Sequence, residues 1–368
     1  MKEGNKDLIE KSITELENNI EVIFGKENLK LNEKYLDINN LKEILSLKYG
    51  KTNPEHVVKS QIIDEFFDQD NIKFLIKYLK IDNTKNKPVA INKKEFVDPF
   101  APPIKPDALV EENFFGLGEH RLIFTKFPLF KEQVLLVSRE FRSQYEHLSL
   151  ENIRDAILLI NTLDGCAFFN GGEKSGASQP RKHLQAFPYK SFPGGKNNFG
   201  IFNYIQNLDN LCELKFDVKL DNITNRVGNF YQIKKFKEEK IEHIIFKFDE
   251  KMTNLLKNNE KANITGEICL KLYEILGEYL GLYTYEDENN KTKSSKINQD
   301  FSFLMTQEFI FIIKRKAHDI FISEKDKEKN DFINLNSLAF FFIIVSRDQK
   351  QIEEIKNGNI IRDIYTKL

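Results

Sequence analysis

The chain has no tryptophan, and it has only three methionines and three cysteines among its 368 residues. Cys166, Cys212 and Cys269 lie far apart and form no CxxC pair, so we expect neither a disulfide framework nor a thiolate metal site. The N-terminus has no apolar stretch like that of a secretory signal, and no hydrophobic run approaches the length of a membrane span. We therefore predict a cytoplasmic protein with reduced thiols and no membrane partner.

An excess of charge of either sign is also missing. The 55 Lys and Arg residues nearly balance the 56 Asp and Glu residues, which leaves a net charge of −1. Nucleic-acid-binding proteins usually carry a basic surface, so this balance gives no reason to expect a nucleic-acid partner. A basic surface, where present, must be local, as a polyphosphate pocket would be. The 40% hydrophobic content is enough for a sizeable core in one large domain or two small ones.

Apolar periodicity predicts a mixture of strands and helices. Residues 1 to about 60 look mostly helical, and residues 191 to about 242 look like loops with short strands. The pattern predicts strands at 72–81, 120–126, 133–138, 244–248, 301–305, 309–313 and 338–345, and helices at 150–163, 264–282 and 351–364. Ser149 would cap the helix at 150–163, with Asn152 in the place of the Glu of a full capping box.

The segment 170–185, NGGEKSGASQPRKHLQ, is the strongest functional signal. Its glycines let the backbone approach a phosphate closely, and consecutive N–H groups can form an anion-binding concavity. His183 and Gln185 alternate on a predicted strand, so both would face one side of a sheet. A neutral imidazole there could attack a phosphate and split one difficult displacement into two easier ones. From these residues alone, a glycine-rich surface turn followed by an ordinary edge strand remains the alternative.

The order of Asn-x-Gly, a Gly-x-Ser loop and His-x-Gln resembles the histidine-triad superfamily. The form GASQPRKHLQ resembles one branch of it, the diadenosine tetraphosphate phosphorylases, or ATP adenylyltransferases. The stretches HRLIFTKFP and LLVSREF, the Lys87-Pro88 pair, and residues 301–306 and 336–340 resemble other segments of that family. The similarity covers roughly residues 70–365, with residues 191–260 poorly matched.

The resemblance implies an α+β fold with a curved, mainly antiparallel, histidine-triad-like sheet, packed helices and a C-terminal extension. We accordingly divide the chain into a mostly helical N-terminal extension (1–69), a nucleotidyltransferase core (70–190) and a C-terminal part (191–368) that completes the fold and the pocket. The implied activity is phosphorolysis of diadenosine tetraphosphate by inorganic phosphate to ATP and ADP, through an AMP carried on a histidine.

Carried over residue by residue, the resemblance makes His183 the nucleophile and Gln185 its phosphate-side partner. Substrate would be bound by Lys87, Thr125, Lys126, Asn170, Gly176, Ala177, Ser178, Gln179, Asn336, Ser337, Leu338 and Arg347. Mg²⁺ is expected to arrive with the polyphosphate, without an organic cofactor or a dedicated protein metal site. The partners would be a dinucleoside polyphosphate and inorganic phosphate, and the protein would be a monomer or a small homo-oligomer.

The sequence departs from the family pattern at three positions. Thr125 replaces the usual Asn, and Arg347 lies where a lysine is common. Arg181 replaces the first histidine of the triad, whose backbone carbonyl would accept from the second ring nitrogen of His183 and fix its tautomer. Two alternatives therefore stay open, another histidine-triad enzyme (a nucleotide hydrolase or a uridylyltransferase) and a non-catalytic sensor of dinucleoside polyphosphates.

Overall fold

The computed structural model describes most of the chain beyond residue 60. Described are residues 61–80, 98–207, 241–283, 292–320, 333–346, 348–358 and 364–368, with residues 43, 45–49 and 360 and the strands at 210–214, 218–219, 226–227, 231–234 and 285–287. Residues 43 and 45–49 are helical, but most of the N-terminal range predicted to be helical lies outside the described residues. The last nine residues of the range 1–69 form a strand.

The strands and helices are numbered here in chain order. The strands are β1 (Gln61–Gln69), β2 (Ile72–Lys80), β3 (Leu109–Glu111), β4 (His120–Phe124), β5 (Val134–Ser138), β6 (Gly165–Gly171), β7 (His183–Pro188), β8 (Asn210–Leu214), β9 (Val218–Lys219), β10 (Arg226–Val227), β11 (Tyr231–Lys234), β12 (His243–Phe248), β13 (Tyr285–Asp287), β14 (Thr292–Lys293), β15 (Phe301–Met305), β16 (Phe309–Lys314), β17 (Asp319–Ile320), β18 (Ile333–Asn334) and β19 (Ile343–Ser346). The α-helices are α1 (Leu150–Leu163), α2 (Gly200–Asn207), α3 (Glu250–Leu256), α4 (Ala262–Tyr279) and α5 (Gln349–Asn357).

A ten-stranded sheet forms the centre of the fold, in the order β3-β4-β5-β7-β6-β15-β16-β12-β11-β8. Every neighbouring pair in it is antiparallel. A second sheet, β1-β2-β19, begins with a hairpin whose two turn residues, Asp70 and Asn71, both have positive φ, as a type I′ turn requires. The prediction of an α+β fold with a mainly antiparallel sheet is confirmed.

Three predictions of local structure were wrong. The helix predicted at 351–364 is shorter than expected, because α5 ends at Asn357 and Gly358 is extended. The run 338–345 was predicted as one strand, but Ser337–Phe341 forms a 3₁₀-helix capped by the side chain of Asn336, and only β19 is extended. An uninterrupted apolar run cannot distinguish a buried strand from a buried helical turn. Helix α2 lies where loops and strands were expected, and Gly200 at its start lets it approach β2, because a Cβ there would lie 2.2 Å from the Lys73 carbonyl oxygen.

The two faces of the large sheet are covered differently. Helices α1 and α4 pack on one face, here called the helix face, where they bury a core that includes Leu136 and Leu184. On the opposite face the buried residues form two separate clusters. A small cluster contains Phe100, Ile123, Leu135 and Val137, and a large one contains Phe168, Phe187 and the C-terminal aromatic residues. Strand β7 runs between β5 and β6, so its polar residues His183 and Gln185 separate these clusters.

Helix α1 shows how the sequence fixes this arrangement. The Ser149 hydroxyl accepts from the Asn152 N–H, and the Asn152 side chain accepts from the Ser149 N–H, so asparagine completes the capping box in place of Glu. The Asn152 side chain also lies 2.9 Å from His120 Nε2 on β4, which ties the start of the helix to the sheet. The predicted helix at 150–163 is confirmed to the residue.

Candidate active site

His183 lies at the start of β7 and is 5% exposed. Its Nδ1 is 2.9 Å from the backbone oxygen of Arg181, which can only accept a hydrogen bond. The ring proton therefore resides on Nδ1, and Nε2 keeps its lone pair. Burial lowers the pKa of His183, against the opposing effects of the Arg181 carbonyl and Asp98, so the ring is neutral at neutral pH. A neutral imidazole in this tautomer is a competent nucleophile.

The backbone of His183 is held by a residue that the sequence did not single out. Gln144 Oε1 accepts from the His183 N–H at 2.8 Å. The Gln144 Nε2 donates to the backbone oxygens of Asn170 at 2.8 Å and of His183 at 3.3 Å. One buried amide thus joins the nucleophile to the end of β6. The loop at 140–146 carries no sequence motif that would have revealed this function.

A second amide pair fixes the orientation of Gln185. The Oε1 of Gln133 accepts from the backbone N–H groups of Leu129 at 2.8 Å and Phe130 at 3.4 Å. The Nε2 of Gln133 must therefore face Gln185, and it donates to Gln185 Oε1 at 3.1 Å. With its oxygen engaged in this way, Gln185 presents its NH₂ group as a donor on the face that carries His183.

Hydrogen bonds also fix the orientation of the Asn170 amide, on the neighbouring strand β6. Its Oδ1 accepts from the Ser337 N–H at 3.0 Å and lies 2.6 Å from the Ser337 hydroxyl. Phe168 pairs with Gln185 across β6 and β7, so Asn170, two residues on, shares that face and lies beside His183. No hydrogen bond within the described residues engages the Asn170 NH₂ group. Two amide donors therefore flank the imidazole.

The glycine-rich loop meets the C-terminal segment at Gly176. Gly176 has a φ of +89°, and a Cβ there would lie 2.9 Å from the Cβ of Asn336. Asn336 in turn accepts from the Leu338 N–H at 2.9 Å. The predicted binding residues Asn170, Gly176 and Asn336 to Leu338, far apart in sequence, are thus brought together. Ser337 and the Leu338 amide are, however, engaged in holding this junction.

The loop uses more of its own polar groups than the sequence suggested. The Gly176 N–H donates to the Glu173 carbonyl at 2.9 Å, and the Ala177 N–H donates to the Gly172 carbonyl at 3.3 Å. The buried Ser175 hydroxyl donates to the Gly172 carbonyl at 2.6 Å. The expectation of a phosphate cradle made by every amide from Gly176 to Gln179 was therefore too broad. Of the four amides from Gly176 to Gln179, those of Ser178 and Gln179 have no hydrogen-bond acceptor within the described part of the chain.

The side chain of Arg181 is held by groups of the protein. Its Nε is 2.7 Å from Asp98 Oδ2, and its Nη1 donates to the carbonyls of Ser138 and Arg139 at 3.2 Å and 3.0 Å. The side chain is thus fixed by Asp98 and two backbone carbonyls, while the Arg181 carbonyl accepts from His183 Nδ1. The replacement of the first triad histidine keeps the backbone contact on which the tautomer depends.

The remaining predicted residues fall at the edge of the site or outside the described residues. Thr125 follows β4, and its N–H donates to the Gln133 carbonyl at 3.3 Å, next to the Gln133–Gln185 pair. Lys126 is exposed, with its Nζ 5.3 Å from the centre of the Phe127 ring. Lys87 and Arg347 lie outside the described residues.

A polar cavity of about 510 Å³ lies at the end of the helix face. Its lining includes His120, Glu146 and Lys182. His120 Nδ1 lies 2.6 Å from Asp155, and Lys182 donates to the His147 carbonyl at 2.7 Å. Lys182 precedes His183 in an extended segment, so its side chain leaves the opposite face of the sheet. The cavity is therefore separate from the site around His183.

Among the described residues, no three His, Cys, Asp or Glu side chains come together in a way that could hold a metal ion. Within that same part of the chain, no helix combines the length and apolar character needed to cross a membrane.

Comparisons with known proteins agree with the geometry. The family model described as Ap4A phosphorylase N-terminal domain matches residues 51–204, and the one described as ATP adenylyltransferase C-terminal domain matches residues 240–367. Diadenosine 5',5'''-P1,P4-tetraphosphate phosphorylase 2 of Saccharomyces cerevisiae is 24% identical over 269 residues, which cover 70% of this chain and 71% of the yeast protein. Protein APA1 of the same yeast is 29% identical over 160 residues, 35% of this chain and 48% of that protein.

Solved structures give the same fold. The crystal structure of yeast Ap4A phosphorylase Apa2 superposes with a TM-score of 0.63 at 19% identity, and it covers 89% of this chain and 93% of its own. The crystal structure of Apa2 in complex with Ap4A gives a TM-score of 0.61 at 18% identity, with 88% of this chain and 95% of that chain covered. At these identities, the structural likeness establishes the fold.

Proposed function

Because this chain belongs to the Ap4A phosphorylase (ATP adenylyltransferase) family and is a nucleotidyltransferase, we propose that it phosphorolyses diadenosine tetraphosphate to ATP and ADP. The observation that carries the proposal is the neutral imidazole of His183, with its Nε2 lone pair available and amide donors on both sides. The reaction needs a nucleophile and fixed donors for phosphate oxygens, and little proton transfer.

In the first half-reaction, His183 Nε2 attacks the α-phosphorus of the substrate. An N–P bond forms, the bond from phosphorus to the bridging oxygen breaks, and ATP leaves with that electron pair. Nδ1 keeps its proton throughout, and the Arg181 carbonyl, at 2.9 Å, supports the positive charge that develops on the ring. ATP leaves as a stabilised anion, so an amide donor at Gln185 suffices where other members of the superfamily have a histidine.

In the second half-reaction, an oxygen of inorganic phosphate attacks the same phosphorus atom. The N–P bond breaks, ADP is released, and the imidazole regains its lone pair. The NH₂ groups of Asn170 and Gln185 and the N–H groups of Ser178 and Gln179 would hold the phosphoryl oxygens in both steps. Fixed donors of this kind stabilise charge at the reacting phosphorus without reorganisation.

The adenosine of the transferred AMP would bind against the small apolar cluster beside His183. The ring of Phe100 lies 5.1 Å from the ring of His183, and Ile123, Leu135 and Val137 complete the cluster on neighbouring strands. An apolar wall next to a polar catalytic centre suits a flat aromatic base joined to a charged phosphate. Thr125 and Lys126, at the end of β4, would add polar contacts at its edge.

Mg²⁺ would enter with the polyphosphate, since this ion is commonly bound through substrate phosphates and its own waters. It would neutralise phosphate charge. The protein groups named above would position the α-phosphorus. Lys87 and Arg347 remain proposed substrate contacts, and a cytoplasmic location and a monomeric or small oligomeric state remain predictions.

The proposal is tested by incubating the purified protein with diadenosine tetraphosphate and radiolabelled inorganic phosphate. Phosphorolysis transfers the label into ADP. ATP and AMP with all label left in phosphate would indicate hydrolysis instead, and turnover of a uridine nucleotide donor in its place would indicate uridylyl transfer. Tight binding of the dinucleotide without turnover, unchanged in His183→Ala, would indicate a sensor.

A further inference from the structure

Arg121 on β4 is 3% exposed, yet its guanidinium is only partly bonded. Its Nη2 lies 3.2 Å from Glu112 Oε1. Its Nε and Nη1 are buried and have no hydrogen-bond partner within the described part of the chain. Buried donors without acceptors are costly, and a charged group makes the cost larger. An incoming anion would supply the acceptors that these two donors lack.

The strand register places Arg121 in line with the nucleophile. Arg121 pairs with Val137 on β5, and Val137 pairs with His183 on β7. Residues directly opposite one another in antiparallel strands project from the same face, so Arg121 and His183 share a face. With strands about 4.8 Å apart, their backbones are roughly 10 Å apart. This separation is within the span of a polyphosphate chain whose α-phosphate lies at His183.

Two further arginines, Arg139 and Arg181, lie close enough to Arg121 to act on its charge. Arg139 Nε lies 3.6 Å from the same Glu112 oxygen, beyond hydrogen-bond distance, and this buried atom has no hydrogen-bond partner among the residues that the structure describes. Burial is the largest cause that lowers the pKa of the Arg121 guanidinium; Arg181 and Arg139 lower it further, while Glu112 and Glu140 raise it. Glu112 is about half exposed, so solvent weakens its attraction to the two guanidinium groups.

We propose that Arg121 is a substrate-contacting residue that binds a phosphate oxyanion other than the reacting α-phosphate in the His183 site, with Arg139 supporting it. The anion is either the polyphosphate of the bound dinucleotide or the inorganic phosphate acceptor. Arginine suits this function because its rigid fork offers two parallel donors to a phosphate. The inference rests on the proposed function for the identity of the substrate but not for the binding of an anion.

The first test measures binding without turnover. Inorganic tripolyphosphate is titrated calorimetrically into the unmodified protein, Arg121→Met, Arg121→Lys and Arg142→Met. Arg142 is an exposed arginine on the helix-face cavity and serves as the charge-matched control. We expect affinity to fall at least tenfold in Arg121→Met, to fall less in Arg121→Lys, and to stay unchanged in Arg142→Met. No tripolyphosphate binding, or equal affinity in all four proteins, would overturn the proposal.

Thermal unfolding separates a binding function from a structural one. Because Arg121 has unpaired buried donors, Arg121→Met should have a melting temperature equal to or above that of the unmodified protein without ligand. A structural arginine would instead give a lower melting temperature with unchanged affinity, and this result would overturn the proposal. Arg121→Lys, which keeps the charge but loses the fork, replaces Arg121→Met as the test if the latter does not fold.

Kinetics distinguish the two sources of the anion. A raised KM for diadenosine tetraphosphate assigns Arg121 to the polyphosphate, and a raised KM for inorganic phosphate assigns it to the acceptor. Weakened tripolyphosphate binding in a protein without turnover would refute the proposed function and leave this inference standing. Full turnover with both KM values unchanged in Arg121→Met would refute the inference alone.

Discussion

Replacing Gln133 with Glu should stop Gln185 from donating a hydrogen bond to the substrate, although Gln185 itself is unchanged. Gln133 is 3% exposed, and its Oε1 is fixed by the backbone N–H groups of Leu129 and Phe130. A carboxylate would keep those two bonds but could no longer donate to Gln185 Oε1. The Gln185 amide would then turn over to donate to Glu, and its oxygen would face the phosphate.

The expected decrease in kcat is the one that follows from removing a single fixed hydrogen-bond donor at the reacting phosphate. Removing one such donor typically lowers kcat by about 10²–10³, or about 3–4 kcal/mol. We therefore expect kcat of Gln133→Glu to fall about a hundredfold, as in Gln185→Ala. Because burial disfavours a carboxylate, its protonation at lower pH restores a donor. The deficit relative to the unmodified protein should accordingly shrink as the pH falls.

Single-turnover kinetics on a double-mutant cycle provide the assay. In the Gln185→Ala background, Gln133→Glu should have almost no further effect on the rate, because both changes remove the same donor. Gln307→Glu is a matched control, since Gln307 is also buried and donates to an amide oxygen, that of Asn161 at 2.8 Å, away from His183. Additive effects of the two changes, or an equal loss of kcat in Gln307→Glu, would show that Gln133 does not act through Gln185.

Three further predictions follow from the geometry. The lowered pKa of His183 means that kcat/KM should stay level down to about pH 6.5, the ordinary histidine pKa, and fall only below it; an acid limb above that pH would contradict the burial argument. Gly176→Ala should lower the free energy of unfolding by about 1–3 kcal/mol and raise KM, because the new methyl group would strain the backbone at a positive φ and also clash with Asn336. Gly281→Ala is the control: it also has a positive φ but nothing within 4 Å, so KM should stay unchanged. Burial is the main cause that lowers the pKa of Lys182 from 10.5 to about 8, so between these pH values only the unfolded state keeps the proton. As the pH rises through that window, the free energy of unfolding of the unmodified protein should increase by up to about 3 kcal/mol relative to Lys182→Met, as measured by chemical denaturation. A difference that stays constant with pH would contradict the shift.

The large elements were predictable because their signals are local. Helix α1, β15 and the hairpin of β4 and β5 follow directly from apolar periodicity and from a capping serine. The region around His183 was predictable because its motif is contiguous and because the alternation of a strand places His183 and Gln185 on one face.

The supports of the site were not predictable, since they depend on tertiary contacts. Gln144 and Gln133 are ordinary glutamines in sequence, and only the fold shows that they fix the nucleophile and its partner. The 3₁₀-helix after Asn336 was missed because its apolar residues are buried on all sides. The partner of the glycine loop, over 150 residues away, could not be derived from local pattern.

The proposed mechanism depends most directly on a covalent bond between His183 Nε2 and AMP. Intact-mass analysis of the protein mixed with diadenosine tetraphosphate, in the absence of inorganic phosphate, tests that bond. We expect a species that is heavier by one adenylyl group, that disappears when phosphate is added and that does not form in His183→Ala. An adduct that persists in His183→Ala, or turnover in that variant at the unmodified rate, would contradict it.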